Sequence, residues 1–511
     1  MLTATDRLAQ LRRLYRKRGD ARTRADIGFL FYAGLLVALI VGFPIVRAIV
    51  VVLSETAILE TLQSPRAGWA VSLVTGVLLV LFAALGQVRG PVTPSPFFVT
   101  LLARTDIPRS VALRRSLVTT ALVLTIGIAA VAGLLGGVLV VAGGASLWNS
   151  LAFFLASICF AVICAVLWLT SQAKCQRAWV LPSVGLAVVA TTVLVDHLLL
   201  FVPWGWLGAL WPGSETEPAW YALIALTALA IGGCLMVPKL LNALRSDDLA
   251  NQADRWQSAG TSALTGDLST ALGRFRAQPK TGRGWRAVRT HNFAARFFLR
   301  DFIGTIRTPM RLAIGTVALI FAGGLSVLAL TTAAFPAWPP AAAGAALGYL
   351  ALGVFSDGFR HAAETAATPP LYGYSTERLY LLHSILPSVA ALVASTLGAT
   401  IALVILGGPM WALLVFVATT VVLVLIRAYD SAKGILPIAL LTTPIPSPVG
   451  DPTVLLILAW QADALLMASI TGAVIVAQVA TGNLGAVITL LACAIAALLW
   501  LTKRRLTALS R

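Results

Sequence analysis

The stretch KLLNALRSDDLANQADRWQSAG (239–260), resumed at GRGWRAVRTHNFAARFFLRDFIGTIRTPMR (282–311), decides how the chain divides. From Pro238 to Arg311 it carries 13 Lys/Arg and five Asp/Glu, in a chain of 511 residues that is 59% hydrophobic and 11% charged. Hydrocarbon excludes such charge density, since one ionised side chain at mid-bilayer costs at least about 2.5–3.5 kcal/mol. The stretch therefore stands in water or at a headgroup surface, and at first sight reads as a polar domain between two membrane parts.

Soluble chains carry about 25% charged residues, so the low charge and a mean hydropathy of +0.89 point to a polytopic membrane protein. A span needs about 20 apolar residues. Twelve runs qualify, at 27–46, 68–88, 116–142, 149–170, 180–202, 219–238, 312–333, 340–356, 384–406, 410–426, 453–477 and 483–502. Ile435–Leu441 is apolar too, but Pro437, Pro444, Pro446 and Pro448 interrupt its surroundings. The first run is too long for a signal peptide and lacks a small-residue cleavage site, so it reads as a retained span.

With twelve spans and both termini inside, 36 of the 38 Lys/Arg fall on one side, and only Arg47 and Arg66 fall outside. That asymmetry is the positive-inside rule. It explains the net charge of +18 without nucleic acid and leaves basic residues for anionic lipid headgroups. The expectation is a multi-pass protein of the inner (plasma) membrane with cytoplasmic termini. The five cysteines show no CxxC spacing and read as small core residues, with no metal site.

Residues 1–26 place Leu8, Leu11, Leu14 and Tyr15 at helical spacing among eight basic residues. This is an interfacial amphipathic helix, with a disordered basic tail as the alternative. Between the second and third spans runs GPVTPSPFFVTLLARTDIPRSVALRRS (90–116), which suits a short transverse helix over Phe97–Arg104, followed by Asp106 and Arg109; a plain connecting loop is the alternative. The outer segment with Trp204, Trp206, Trp211, Trp220 and Tyr221 reads as interface anchors.

The second half repeats the first in outline. Leu85-Gly86 matches Leu352-Gly353, each followed by a proline-containing inner loop; Arg109 matches Arg378; Trp148 matches Trp411; Lys174 matches Lys433; Asp196 matches Asp463. Six spans per half keep both halves in one orientation, a parallel repeat about an axis along the membrane normal. Residues 285–311, with Trp285, Val288, Phe293, Phe297, Phe298 and Phe302 among arginines, then occupy the place of the first amphipathic helix. Ser246-Asp247-Asp248 opens a capped helix, and a flexible connector follows. The expected organisation is an elbow at 1–26, six spans in 27–238, a connector at 239–284, a second elbow at 285–311, six spans in 312–502 and a tail at 503–511.

An amphipathic inner helix, six spans and a structured inner loop after the second span resemble one half of an ABC-2-type exporter permease. The fused arrangement is similar to duplicated permease-like proteins of actinobacteria. The resemblance implies an all-α permease whose loops at 94–109 and 369–378 dock on an ATP-binding subunit, present in two copies. The docking residues it implies are Phe97, Arg104, Asp106 and Arg109 in one half, and Arg360, Tyr374, Glu377 and Arg378 in the other. The loops differ, RTDIPRS against YSTERLY, so the two contacts need not be identical. No P-loop is present, because Lys280-Thr281 lacks the glycine-rich turn before it. ATP and magnesium would belong to the partner, and this chain would be a transport subunit rather than an enzyme, without a cofactor of its own. The cargo suggested is a lipid, peptide or amphipathic compound.

Asp196, His197 and Asp463 are the ionisable groups within predicted spans. They read either as structural polar contacts or as carboxylates facing one another across a cavity, which a proton- or ion-coupled secondary transporter would need. An integral-membrane glycosyltransferase is the third alternative, with Glu55 and Glu60 as its outer acids.

Overall fold

The computed structural model describes residues 24–174, 180–213, 219–264, 290–331, 337–368, 373–408, 410–434 and 453–509, with Gly282 and Gly284. The regular structure among these residues is all helical, with no strand. The chain forms two compact units, Met1–Thr261 and Ser262–Arg511. The amphipathic helix expected at the N-terminus falls outside the described residues up to residue 23, as do Cys175, Trp285, Val288 and Lys280-Thr281.

The first unit runs α1 (Arg24–Val37), a π-helical turn (Ala38–Gly42), α2 (Phe43–Leu53), α3 (Thr56–Gln63) and α4 (Pro65–Val88). Two short helices follow, α5 (Pro96–Ala103) and α6 (Arg109–Ala112), then the long α7 (Arg114–Val141) and α8 (Leu147–Ala173). After α9 (Val180–Leu194) come a 3-10 turn (Asp196–Phe201), α10 (Pro203–Ala209), α11 (Trp220–Ala243) and α12 (Ser246–Leu264). The helix starts carry recognisable signals. Pro65, Pro96 and Pro203 sit in first turns, where a missing N–H costs nothing. The Ser95 and Ser146 hydroxyls accept from the N–H groups of Phe98 and Asn149.

The second unit comprises α13 (Phe293–Ile306), α14 (Pro309–Thr331), α15 (Trp338–Leu352), α16 (Asp357–Glu364) and α17 (Thr376–His383). It continues through α18 (Ile385–Ala390), a π turn (Ala391–Ser395), α19 (Thr396–Leu406), α20 (Trp411–Ser431), α21 (Thr453–Ala480) and α22 (Leu484–Leu509). Each unit has its own core. Leu139, Phe160, Cys164 and Leu226 are fully buried in the first, and Leu319, Leu352, Phe359 and Ile426 in the second.

Nine helices among the described residues are long and apolar enough to cross a membrane, or ten if the bent pair α15–α16 is one crossing. The protein is thus an all-helical, multi-pass membrane protein by composition and helix length. Three of the twelve expected runs are not continuous span-length helices. Run 27–46 contains a π turn between α1 and α2 and contributes only a shorter apolar helix, Phe31–Ile40, among the described residues. Run 180–202 stops at Leu194, where Val195 leaves helical backbone (φ −133°, ψ 89°); a 3-10 turn follows, and Pro203 holds Val202 extended at its end (φ −119°, ψ 143°). Run 340–356 bends by 60° between α15 and α16.

The tryptophan-rich segment also departs from expectation. Trp204 and Trp211 are core residues rather than anchors, at 9% and 3% exposure. The Trp211 indole donates to the Leu62 carbonyl at 2.7 Å, and Trp206 to that of Leu200 at 2.7 Å. The segment lies so close to α4 that a Cβ on Gly68 would stand 2.8 Å from the Gly208 carbonyl oxygen, and one on Gly208 would collide with the Ser72 hydroxyl. Trp220 and Tyr221 alone of that aromatic group remain as exposed as anchors would be.

Candidate functional site

In the first unit α4, α8 and α11 finish at one end, where α7 begins, and residues 89–115 cross that end. The crossing is built. Val92, Val99, Leu102, Ile107 and Leu113 point inward and pack on Leu169, Leu240, Leu241, Leu244, Leu249 and Ala253. Beneath them lies a buried amide network. The Gln172 side chain donates to the Val92 carbonyl at 2.8 Å and to Gln252 Oε1 at 2.9 Å, while Val92 N–H donates back to Gln172 at 3.3 Å. Gln252 in turn donates to the Gly86 carbonyl at 3.3 Å. The Trp168 indole donates to the Arg89 carbonyl at 2.6 Å, and the Ser171 hydroxyl to that of Ala83 at 2.5 Å. Gly90 is backed directly by the Gln172 amide, leaving no space for a Cβ.

The outer side of this crossing is polar. Arg104 and Asp106 are exposed, and Phe97 is half-buried at the start of α5. Arg109 is turned inward instead: its guanidinium donates to the Ser246 hydroxyl at 2.8 Å, next to a bond of 2.9 Å from Ser110 N–H to the Asn242 side chain. A cleft of about 370 Å³ opens here, lined by Thr105, Asp106, Arg109, Asn242 and Ser246. Residues 246–264, where a capped helix was expected from Ser246, are a helix, and it is seated on the crossing. Leu249, Gln252, Ala253 and Trp256, at helical spacing, form its inner face, and Trp256 lies under the Arg89 guanidinium at 4.6 Å.

The corresponding segment of the second unit, 357–383, is organised around α13, which with the first turn of α14 is the helical part of the expected second elbow among the described residues. Asn292 caps α13 by accepting from Ala294 and Ala295 N–H. His383 Nδ1 and Asp301 Oδ2 lie 2.5 Å apart, with side chains 1% and 11% exposed. Gly358 lies against both, and a Cβ there would strike the imidazole. Arg311 grips Asp357 through two bonds of 2.5 and 3.0 Å and the Gly353 carbonyl at 2.6 Å. The expected docking residues are engaged internally. Arg360 pairs with Glu364 at 2.7 Å, Glu377 with Lys503 at 3.7 Å, and Arg378 lies over Tyr374, which packs on Phe293. His361 sits among these groups with Nε2 buried and without a hydrogen-bond partner. Burial, then the neighbouring Arg300 and His383, lower its pKa against the opposing pull of Glu364 and Asp301.

Asp463 does not face an open cavity. Its carboxylate takes Lys433 Nζ at 2.5 Å, Arg505 at 3.2 Å and the Tyr429 hydroxyl at 3.4 Å. Lys433 lies over Trp460 and Arg505 over Tyr429. The residue is thus level with the end of α20 and the last turns of α22. Asp196, its expected counterpart, lies just past the C-terminal end of α9, and His197 beside it is exposed. Asp463 lies inside α21, whereas Asp196 lies past the end of α9, so the two aspartates are not equivalent in position. Glu55 and Glu60 are both exposed, one before α3 and one within it.

Sequence reading missed Gln172, Gln252, Asn242, Asp301 and His383 as organising residues. The 249, 252, 253, 256 spacing was the available signal for α12. No protein-family model, no curated protein and no solved structure matches the chain.

Proposed function

We propose that this chain is the membrane-spanning permease subunit of an ABC transporter, exporting a lipid, peptide or amphipathic compound with energy from a separate ATP-binding subunit. The reading takes three further segments, α1–α2, α9 with its 3-10 turn and α15, as the remaining crossings, giving six per half and twelve in all. The basic residues then lie on the cytoplasmic side of the plasma membrane, with both termini.

One observation carries the reading. The segment between α4 and α7 is not a loose connection: a buried glutamine pair and an inward apolar face hold it, while Arg104, Asp106 and a polar cleft remain open to solvent. A polar network of this kind fixes a surface in one conformation, and a surface that transmits force to spans from a soluble motor needs that stiffness. No metal, cofactor or nucleophile is required of this chain; ATP and magnesium act on the partner.

The test is purification of the tagged full-length chain from its native membrane in mild detergent. An ATP-binding subunit, in two copies, should accompany it with vanadate-sensitive ATPase activity. A chain that arrives alone and moves substrate on a proton gradient, with Asp196→Asn abolishing movement, would make it a secondary transporter.

A further inference from the structure

Asp106 and Arg109 line one cleft, yet they do not pair with each other. Arg109 donates instead to the neutral Ser246 hydroxyl at 2.8 Å, and among the described residues Asp106 has no hydrogen bond or ion pair. The polar groups around them are sorted by kind. Asn242 Oδ1 is occupied by the Ser110 N–H at 2.9 Å, which leaves its NH2 group to donate; Ser246 accepts from Arg109, which leaves its O–H to donate. Arg109, Asn242 and Ser246 thus offer donors, while the Asp106 carboxylate offers only acceptors. The cleft, about 370 Å³, falls within the range of small-ligand sites, about 300–1,000 Å³.

The depth of the cleft follows from α11. Its exposed Trp220 and Tyr221 mark one membrane interface. From there about 20 residues, at about 1.5 Å each, cross a hydrocarbon core of about 30 Å. The core thus ends near Leu240, and Asn242 stands at headgroup level. Ile231, Leu235, Lys239 and Asn242 share one exposed face of the helix at spacings of four, four and three, so an apolar strip leads past a lysine to the mouth of the cleft.

We propose that this cleft binds the headgroup of a zwitterionic aminophospholipid, a phosphodiester carrying a primary ammonium, from the leaflet at that end of α11. The phosphodiester, which only accepts, meets Arg109, Asn242, Ser246 and the Lys239 ammonium. The lipid ammonium, which only donates, meets Asp106, and the acyl chains run back along Leu235 and Ile231. An anionic headgroup without the amine leaves Asp106 opposing it, and a choline headgroup has no N–H to donate. The inference needs α11 as a membrane crossing and is independent of the ABC reading.

The experiment uses the full-length protein, washed free of lipid in detergent and incubated in micelles holding equimolar phosphatidylethanolamine, phosphatidylglycerol and phosphatidylcholine. Lipid retained on re-isolation is quantified by mass spectrometry. Wild type should retain phosphatidylethanolamine about tenfold over each of the others, a ratio within reach of one hydrogen bond to a charged group. Asp106→Asn should erase that preference and Asp106→Glu should keep most of it. Lys239→Gln should lower retention of all three lipids alike, since its charge meets the phosphate they share. Asp106 has no intramolecular partner, so Asp106→Asn should melt at the wild-type temperature in lipid-free detergent, which makes its lost preference a binding effect. Equal retention of the three lipids by wild type, or an Asp106→Asn protein that still prefers phosphatidylethanolamine, would overturn the proposal. Glycerophosphoethanolamine, the headgroup without acyl chains, should fail to displace the bound lipid. Displacement at matched concentration would give the cleft to a soluble zwitterion and remove the lipid assignment. Co-purification of an ATP-binding subunit is a separate readout that none of these results touches.

Discussion

Gln172 and Gln252, 80 residues apart in the chain, share a buried hydrogen bond of 2.9 Å that joins the end of α8 to the inner face of α12. Each also satisfies a backbone carbonyl of the crossing segment or of the helix that enters it. Gln252→Leu should strand the Gln172 amide and the Gly86 carbonyl and cost about 1–3 kcal/mol. Thermal unfolding of the detergent-solubilised protein reads this as a lowered midpoint. An unchanged midpoint would mean that α12 does not hold the crossing.

Gly358→Ala should destabilise the second unit, because the new methyl meets the His383 ring and the Asp301 carboxylate. Overpacking of this kind costs about 1–3 kcal/mol. Adding His383→Ala makes room for the methyl, so the double variant should lose less than the sum of the two single losses. Strict additivity would refute the contact.

Asp463→Asn should leave Lys433 and Arg505 without their shared anion. Lys433 is only 9% exposed, so removing its partner approaches the cost of breaking a buried pair, about 3 kcal/mol. Lys433→Met in the Asp463→Asn background should recover part of that loss. If Asp463→Asn is as stable as wild type yet abolishes transport, the residue works in the pathway and is not a tie between α20, α21 and α22.

Stability should fall on acidification in a way that His361 reports. Its pKa is held below the ordinary value of 6.5 in the folded protein, chiefly by burial. Between the two values the unfolded chain binds more protons, so this contribution is fully present above about pH 6.5 and is lost as pH falls below it. The melting temperature of His361→Gln should therefore change less between pH 7.5 and 5.5 than that of wild type. Equal slopes would exclude the effect.

The apolar runs that became α4, α7, α8, α11 and α20 were legible because length and composition alone specify them. The interruption after Leu194 was not, since Leu198, Leu199, Leu200 and Phe201 continue the apolar run; Pro203 was its one local sign. The partners of Asp463 were hidden for a related reason. Its partners stand 30 and 42 residues away, and only the packed bundle brings Lys433 and Arg505 to it. The segment 89–115 was legible as an element, but the direction of Arg109 was not. Whether an arginine faces out or reaches back to a serine depends on where α12 packs, and the helix-start signal at Ser246 says nothing of that seat.

The bonds beneath 89–115 end on three different spans: on the carbonyls of Ala83 and Gly86 in α4, on Trp168, Ser171 and Gln172 in α8, and on Asn242 in α11. The segment is thus a yoke. A push or pull delivered to it reaches three helices at once, through the amide knot at Gln172 for α8 and α12 and through the separate Ser110–Asn242 bond for α11.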